Sequence, residues 1–160
     1  MNAGEDIKIK IAVVIARDDG KVLLIKEQLS ENPLPLWNTI KGTHERGETI
    51  FTTARRECRE EVGLDVELIA CLGVYFSQEE DKTRIQFNFL ARVENQDAVL
   101  AGHNEQSSRG ESIIEARWFT KEEIAIIDPS EFISARTYEL LKDWIAGKTF
   151  PVEVCKDVEM

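Results

Sequence analysis

Ile7, Ile9 and Ile11 alternate with lysines, and residues 12–16 then run apolar. Alternation marks a strand with one buried face, and a continuous apolar run marks one buried on both. Residues 7–16 are therefore expected to enter a sheet at its margin and finish in its core. Asp18-Asp19-Gly20 is a turn signal, and residues 21–26, KVLLIK, are the returning strand. Pro33 and Pro35 force extended backbone before them, so residues 28–36 read as a loop leading to Trp37. Residues 66–76 and 83–93 are two further strands. In the second, Ile85, Phe87 and Phe89 face one side while Gln86 and Asn88 face the other. Residues 94–110 break all periodicity and are expected to form a long loop. Residues 112–119 form a last strand. A capping box at Thr120 and Glu123 opens a short helix, and residues 131–146 form an amphipathic helix closed by Gly147. The tail, residues 148–160, offers an edge strand in PVEVC. Hairpins mixed with crossovers imply an α+β chain with a mixed sheet packed between helices.

Residues 49–64, TIFTTARRECREEVGL, carry the chemistry. Thr49 suits an N-cap and Gly63 the C′ position, so the spacing predicts a helix between them. Phe51, Ala54, Cys58 and Val62 form its apolar stripe. On the adjacent face Glu57 lies one turn from both Glu60 and Glu61. Like charges so spaced repel unless a cation sits among them. Arg56, four residues before Glu60, supplies part of that charge, and a divalent metal would supply more.

A solvated helix face has a similar composition. What distinguishes this one is the sequence ahead of it. Gly42, Glu48, Arg56, Glu57, apolar Cys58, Glu60, Glu61, Gly63 and apolar Leu64 fit the pattern G-x5-E-x7-R-E-U-x-E-E-x-G-U, with U a bulky apolar residue. Residues 42–64 thus resemble the signature of the Nudix hydrolase family. The resemblance implies an α/β/α sandwich, with residues 1–147 as one domain followed by the tail. It also implies metal-dependent cleavage of a nucleoside diphosphate linked to another moiety, with Mg²⁺ or Mn²⁺ held by Glu57, Glu60 and Glu61. Arg56 would orient a carboxylate, Glu48 would fix Arg56 or bind metal, and the Gly42 loop would bring backbone groups toward the phosphates. The chain departs from the family pattern at Ile40-Lys41-Gly42, where Pro-Gly-Gly is usual, which places an additional cation at Lys41.

Other assignments stay open among named residues. The general base is Glu57, Glu111 or Glu115, and Arg109 is placed to meet a phosphate. Trp37 is a core anchor or a wall for a base; Gln86 and Asn88 are candidates for reading a base edge; His103 is a solvated loop residue. No motif of the ADP-ribose, NADH or diadenosine subgroups accompanies the signature. A (deoxy)nucleoside triphosphate, cleaved to monophosphate and pyrophosphate, is the substrate expected by elimination. The alternative is a non-catalytic nucleotide-binding or regulatory module, against which stands the retention of Glu48, Glu57, Glu60 and Glu61 together.

Composition narrows the setting. The chain has 160 residues, 42% hydrophobic and 31% charged, which suits one soluble domain. Cys58, Cys71 and Cys155 fit neither a disulfide framework nor a zinc spacing, and no signal or membrane-spanning pattern occurs, so a cytoplasmic protein is expected. A net charge of −10 argues against nucleic acid as partner, whereas a metal can bridge carboxylates to a small nucleotide. Membrane partners are not expected, and a homodimer is left open.

Overall fold

The computed structural model describes residue 4 and residues 6–160. Seven strands form one mixed sheet among these residues: β1 (Asp6–Arg17), β2 (Val22–Glu27), β3 (Leu36–Asn38), β4 (Ile40–Thr43), β5 (Glu67–Glu79), β6 (Lys82–Val93) and β7 (Ile113–Phe119). β1 runs parallel to β6 along its whole length and antiparallel to β4 over residues 10–13. β2 carries β3 and β7, and β5 closes the far side against β6. As the alternation followed by an apolar run implies, β1 begins exposed and becomes buried on both faces at residues 11–15.

Helices cover both faces. α1 (Ile50–Val62) packs Ala54, Cys58 and Val62 on Ile11, Val13, Phe89 and Ala91. On the other face α3 (Lys121–Ala125) and α4 (Ala135–Ile145) bury Ile124, Leu140, Leu141 and Trp144 against Ala12, Val14 and Leu24. The result is the expected α/β/α sandwich with two cores, one on each side of β1.

The boundaries of α1 follow its caps. Thr49 accepts a hydrogen bond from the Thr52 amide, and Gly63 takes a left-handed conformation, φ 66°, with its amide bonded to the Arg59 carbonyl. A non-glycine residue would be strained there.

Three elements differ from the sequence pattern. The region 94–110 is not an unbroken loop: α2 (His103–Ser108) lies inside it. Its polar sequence, HNEQSS, has no apolar stripe, so periodicity gave no signal. Helix α4 starts at Ala135 with Ser134 as N-cap, because a separate 3₁₀ turn at Pro129–Glu131 uses Asp128 as its own cap. The tail adds no edge strand. Phe150 makes a single bridge to Cys71, and Val152–Val154 is a 3₁₀ turn laid on the α1 side of the sheet. Among the described residues no helix is long and apolar enough to cross a membrane.

Phe89 is fully buried at the centre of β6, with its ring 5.6 Å from that of Phe51 on α1. Phe89→Ala is expected to lower stability by about 3–5 kcal/mol, through lost transfer energy and the cavity left between sheet and helix. Denaturant unfolding of the two proteins checks this.

Candidate active site

The apolar stripe of α1 fixes the helix on the sheet, and the adjacent face is thereby turned toward the β4 loop. Glu57 and Glu61 are buried at 8% and 4% exposure. Burial of carboxylates needs compensation, and Arg56 supplies most of it. Its Nε and one terminal nitrogen grip both oxygens of Glu48 at 2.8 and 3.0 Å. The other terminal nitrogen donates to Glu57 at 2.9 Å and to Glu60 at 3.2 Å. Glu48 also accepts from the Thr53 hydroxyl. This hydrogen-bonded pairing with Arg56 holds the Glu48 carboxyl below its usual range. Glu48 thus positions Arg56, as the resemblance allowed.

Gly42 faces this cluster. A Cβ added there would overlap the Glu57 carboxyl group, so any other residue would displace that side chain from its present position. The next residue back, Lys41, donates its backbone N–H to Glu61 at 3.2 Å.

Arg109, at the end of the 94–110 excursion, and Glu111, just past it, complete the site. Carboxylate oxygens of Glu57, Glu60 and Glu111 lie within 4.8 Å of one another. Arg109 clasps Glu111, with Nε at 2.8 Å from one oxygen, and donates to the Glu60 carbonyl at 2.9 Å. Arg109 thus helps to hold the cluster together and also lines the cleft. Glu61 stands behind the trio, buried against Lys41. Glu115 lies on β7, half-exposed and 4.0 Å from Arg117, away from the cluster. Trp37 is buried at 3% exposure, packed edge-on to Phe119, and so is a core residue rather than a free wall. His103 is exposed at the start of α2. Gln86 and Asn88 are fully buried, so neither presents an edge to solvent.

The cleft has a volume of about 550 Å³. Besides the carboxylates it is bordered by Lys10, Glu27 and Lys41. Sequence inspection missed Lys10 and Glu27, which lie in strands rather than in a motif. Their signal was available only as charges within otherwise apolar strands. Burial, and then repulsion from Glu60, push the Glu57 carboxyl up to about 7 despite Arg56. Burial pushes Glu61 well above the carboxylate range, with Glu57, Glu27 and Glu111 adding to it. Four carboxyl groups, Glu57, Glu60, Glu61 and Glu111, meet two arginines, Arg56 and Arg109, and a divalent cation would favour their ionised forms.

A glycine at β4 and the helix α1 aim clustered carboxylates into a cleft beside cations, an arrangement suited to holding a divalent ion next to phosphates. The match to the NUDIX domain model over residues 7–141 is consistent with this, and the chain belongs to the Nudix family. Solved structures agree on the fold. A NUDIX hydrolase from Nitrosomonas europaea superposes with a TM-score of 0.74 at 24% identity, covering 96% of this chain and 98% of that one. A Caenorhabditis elegans Ap4A hydrolase gives 0.62 at 21% identity, covering 88% and 96%. The Escherichia coli dihydroneopterin triphosphate pyrophosphohydrolase gives 0.63 at 19% identity, covering 87% and 95%. No protein of curated function matches the chain.

Glu57 and Glu61 bind protons more tightly folded than unfolded, where a glutamate has its ordinary value of 4.5. The stability they confer is complete below that value and is lost as pH rises through the folded values, about 7 for Glu57. With metal chelated, stability is expected to fall between about pH 5 and 8, by roughly 2–3 kcal/mol from Glu57 alone, and the melting temperature with it. Glu57→Gln and Glu61→Gln should each flatten the profile, as should saturating Mg²⁺. Calorimetry across this range in EDTA checks it.

Proposed function

We propose that this chain is a divalent-metal-dependent pyrophosphohydrolase acting on a nucleoside diphosphate linked to another group. The observation that carries the proposal is the trio Glu57, Glu60 and Glu111, with oxygens within 4.8 Å of one another and held by Arg56 and Arg109. The donors are hard carboxylate oxygens, the set that Mg²⁺ and Mn²⁺ prefer, and the cradle at Gly42 leaves the Glu57 carboxyl group room. Glu57, Glu60 and Glu111 would hold the ion, with Glu61 buried behind them as a further carboxylate. Bound there, Mg²⁺ would offset phosphate charge and make a water molecule more acidic.

The remaining work falls to the chain's own groups. Lys10 and Lys41 border the same cleft as the carboxylates and are the lysines available there to phosphate charge. Arg56 and Arg109 keep the carboxylates in place, so the phosphates meet a cluster already assembled. Of the base candidates, Glu57 and Glu111 stand in the cluster and Glu115 does not. Burial gives Glu57 a proton affinity close to neutrality, which suits a group that takes a proton from water.

The substrate we assign by elimination is a (deoxy)nucleoside triphosphate, cleaved to monophosphate and pyrophosphate. Among the structural neighbours one is named for a triphosphate and one for a dinucleoside polyphosphate. Both are diphosphates linked to a further group. A cytoplasmic setting agrees with the three free cysteines.

The test is phosphate and pyrophosphate release from nucleoside triphosphates, dinucleoside polyphosphates, ADP-ribose and nucleotide sugars, with Mg²⁺ or Mn²⁺. Metal-dependent turnover is expected, reduced by more than about 100-fold in Glu60→Gln, beyond the usual effect of losing a supporting contact. Full activity in Glu60→Gln would refute the site, and silence across the panel would move the protein to the non-catalytic class.

The base is separable by kinetics. Glu57→Gln and Glu111→Gln are each expected to lower kcat by about 10²–10⁴-fold, whereas Glu115→Gln stays within a few-fold of the parent. The reverse order would place the base on β7.

A further inference from the structure

The face of the sheet beneath α4 carries a second charged group, and it is positive. Even-numbered residues of β6 point to this side, since Leu90 packs with Leu140 and Leu141. Arg84 and Gln86 therefore share it. On β1, Lys8 pairs directly with Arg84 and Lys10 with Gln86. Lys41 lies opposite Ala12 on β4, and its ammonium reaches across to the Thr137 hydroxyl of α4 at 3.3 Å. Arg136, in the first turn of α4, joins Arg84 in lining a cavity of about 340 Å³.

These cations have acidic groups near them, Glu57 for Lys10, Glu27 for Lys41, Asp6 for Arg84 and Glu79 for Arg84 and Arg136, but form no ion pair with them. Among the described residues no carboxylate lies within ion-pair distance of Lys10, Lys41, Arg84 or Arg136, although Arg17, Arg56, Arg59, Arg92, Arg109 and Arg117 each have one. Glu79 borders the cavity without pairing with any of the four. Like charges opposed across strands, as at Lys8 and Arg84, destabilise a sheet. In a chain with a net charge of −10, such segregation leaves a demand for an anion. Burial, followed by Arg136, lowers the Lys41 ammonium to about 8; burial and then Arg84 lower Lys10.

A second observation points the same way. Buried side-chain polar atoms without a partner are few among the described residues: Thr39 Oγ1, Gln86 Oε1, Asn88 Nδ2 and Arg136 Nε. Gln86, Asn88 and Arg136 belong to this one face. The unpaired donors, Asn88 Nδ2 and Arg136 Nε, are costly unless an acceptor such as an anion satisfies them, whereas the Gln86 oxygen needs a donor and carries no part of this argument. Lys10 and Lys41 also border the carboxylate cleft, so the two regions meet at these lysines.

We propose that Arg84 and Arg136, with Lys10 and Lys41, form a second anion site, and that the substrate is a nucleotide whose nucleoside part carries an additional phosphate. The proposal rests on the pyrophosphohydrolase assignment and narrows its substrate. The scissile phosphates lie at the carboxylates, and the additional phosphate lies under α4. A nucleotide with an unmodified ribose would leave Arg84 and Arg136 without an ion-pair partner.

The experiment is calorimetric binding at low salt with metal chelated, so that nothing is hydrolysed. The probes are adenosine 3′,5′-bisphosphate and adenosine 2′,5′-bisphosphate, each compared with AMP. At least one bisphosphate is expected to bind about tenfold or more tighter than AMP, as one or two charge-assisted contacts provide. The preference should fall to near unity in Arg84→Gln combined with Arg136→Gln, and partly in each single variant should the double variant not fold. Arg92→Gln, which alters the pair with Glu67 further along β6, should keep it. Equal binding of all three nucleotides, or a preference that survives in the double variant, overturns the proposal. A preference in a protein that hydrolyses neither the panel nor a pyrophosphate-linked nucleotide bearing a 2′- or 3′-phosphate would leave the anion site standing and refute the hydrolase assignment instead.

Discussion

The arrangement depends on one guanidinium group. Arg56 grips Glu48 through two nitrogens and reaches Glu57 and Glu60 with a third. Another of its contacts is the Thr43 carbonyl at the end of β4. The loop before α1, the strand before that loop and the acidic face of the helix are therefore tied to one planar cation. A lysine ammonium could not replace it, because the fork at Glu48 needs two donors in fixed geometry. Without it, Glu57 and Glu60 would repel across one helical turn and the loop would lose its anchor.

Around that group the sheet sorts charge by face. β4 is the dividing line. The Lys41 amide serves Glu61 on the α1 side, while its ammonium serves Thr137 on the α4 side. Thr137 in turn donates to Asn38, and Asn38 to Glu27, so a chain of hydrogen bonds runs from α4 to the floor of the cleft. Carboxylates gather beside α1, Arg84 and Arg136 lie toward α4, and Lys10 and Lys41 stand where the two regions meet. A metal-bridged phosphate and a directly held anion are the two ligands this polarity favours. It cannot be inferred from the chain's overall acidity.

How much of this was legible in the sequence differs by element. α1 and its caps were, because Thr49, Gly63 and the stripe from Phe51 to Val62 are local signals that tertiary packing reinforces. Arg56, Glu48 and Gly42 were, through the spacing of the signature. Lys41 stood out as a departure, but its two-sided role needed the pairing of β4 with β1. Gln86 and Asn88 were correctly placed on the face opposite Phe87, yet their polarity suggested exposure where the structure buries them. Alternation reports which residues share a face; it does not report what covers that face. Glu111 and Arg109 were named without a location, since nothing local shows where a polar excursion lands.

That excursion is ordered by a polar side chain rather than by an apolar one. Gln106 is the buried residue of α2; its amide donates to the carbonyls of Ala101 and Ile113 and accepts from the Ile113 backbone. Its own carbonyl receives the Glu111 amide at 2.8 Å. Upstream, the Val99 amide bonds to the Val62 carbonyl and docks the segment on the end of α1. These bonds set the path of residues 107–111, and the path sets where Arg109 and Glu111 arrive. Hydrophobic periodicity is blind to such a device, because the element's fold is fixed by satisfied backbone groups and not by a buried stripe. The carboxylate that joins Glu57 and Glu60 thus follows directly on the segment with the weakest local signal. It is delivered by a glutamine that neither binds metal nor belongs to the signature.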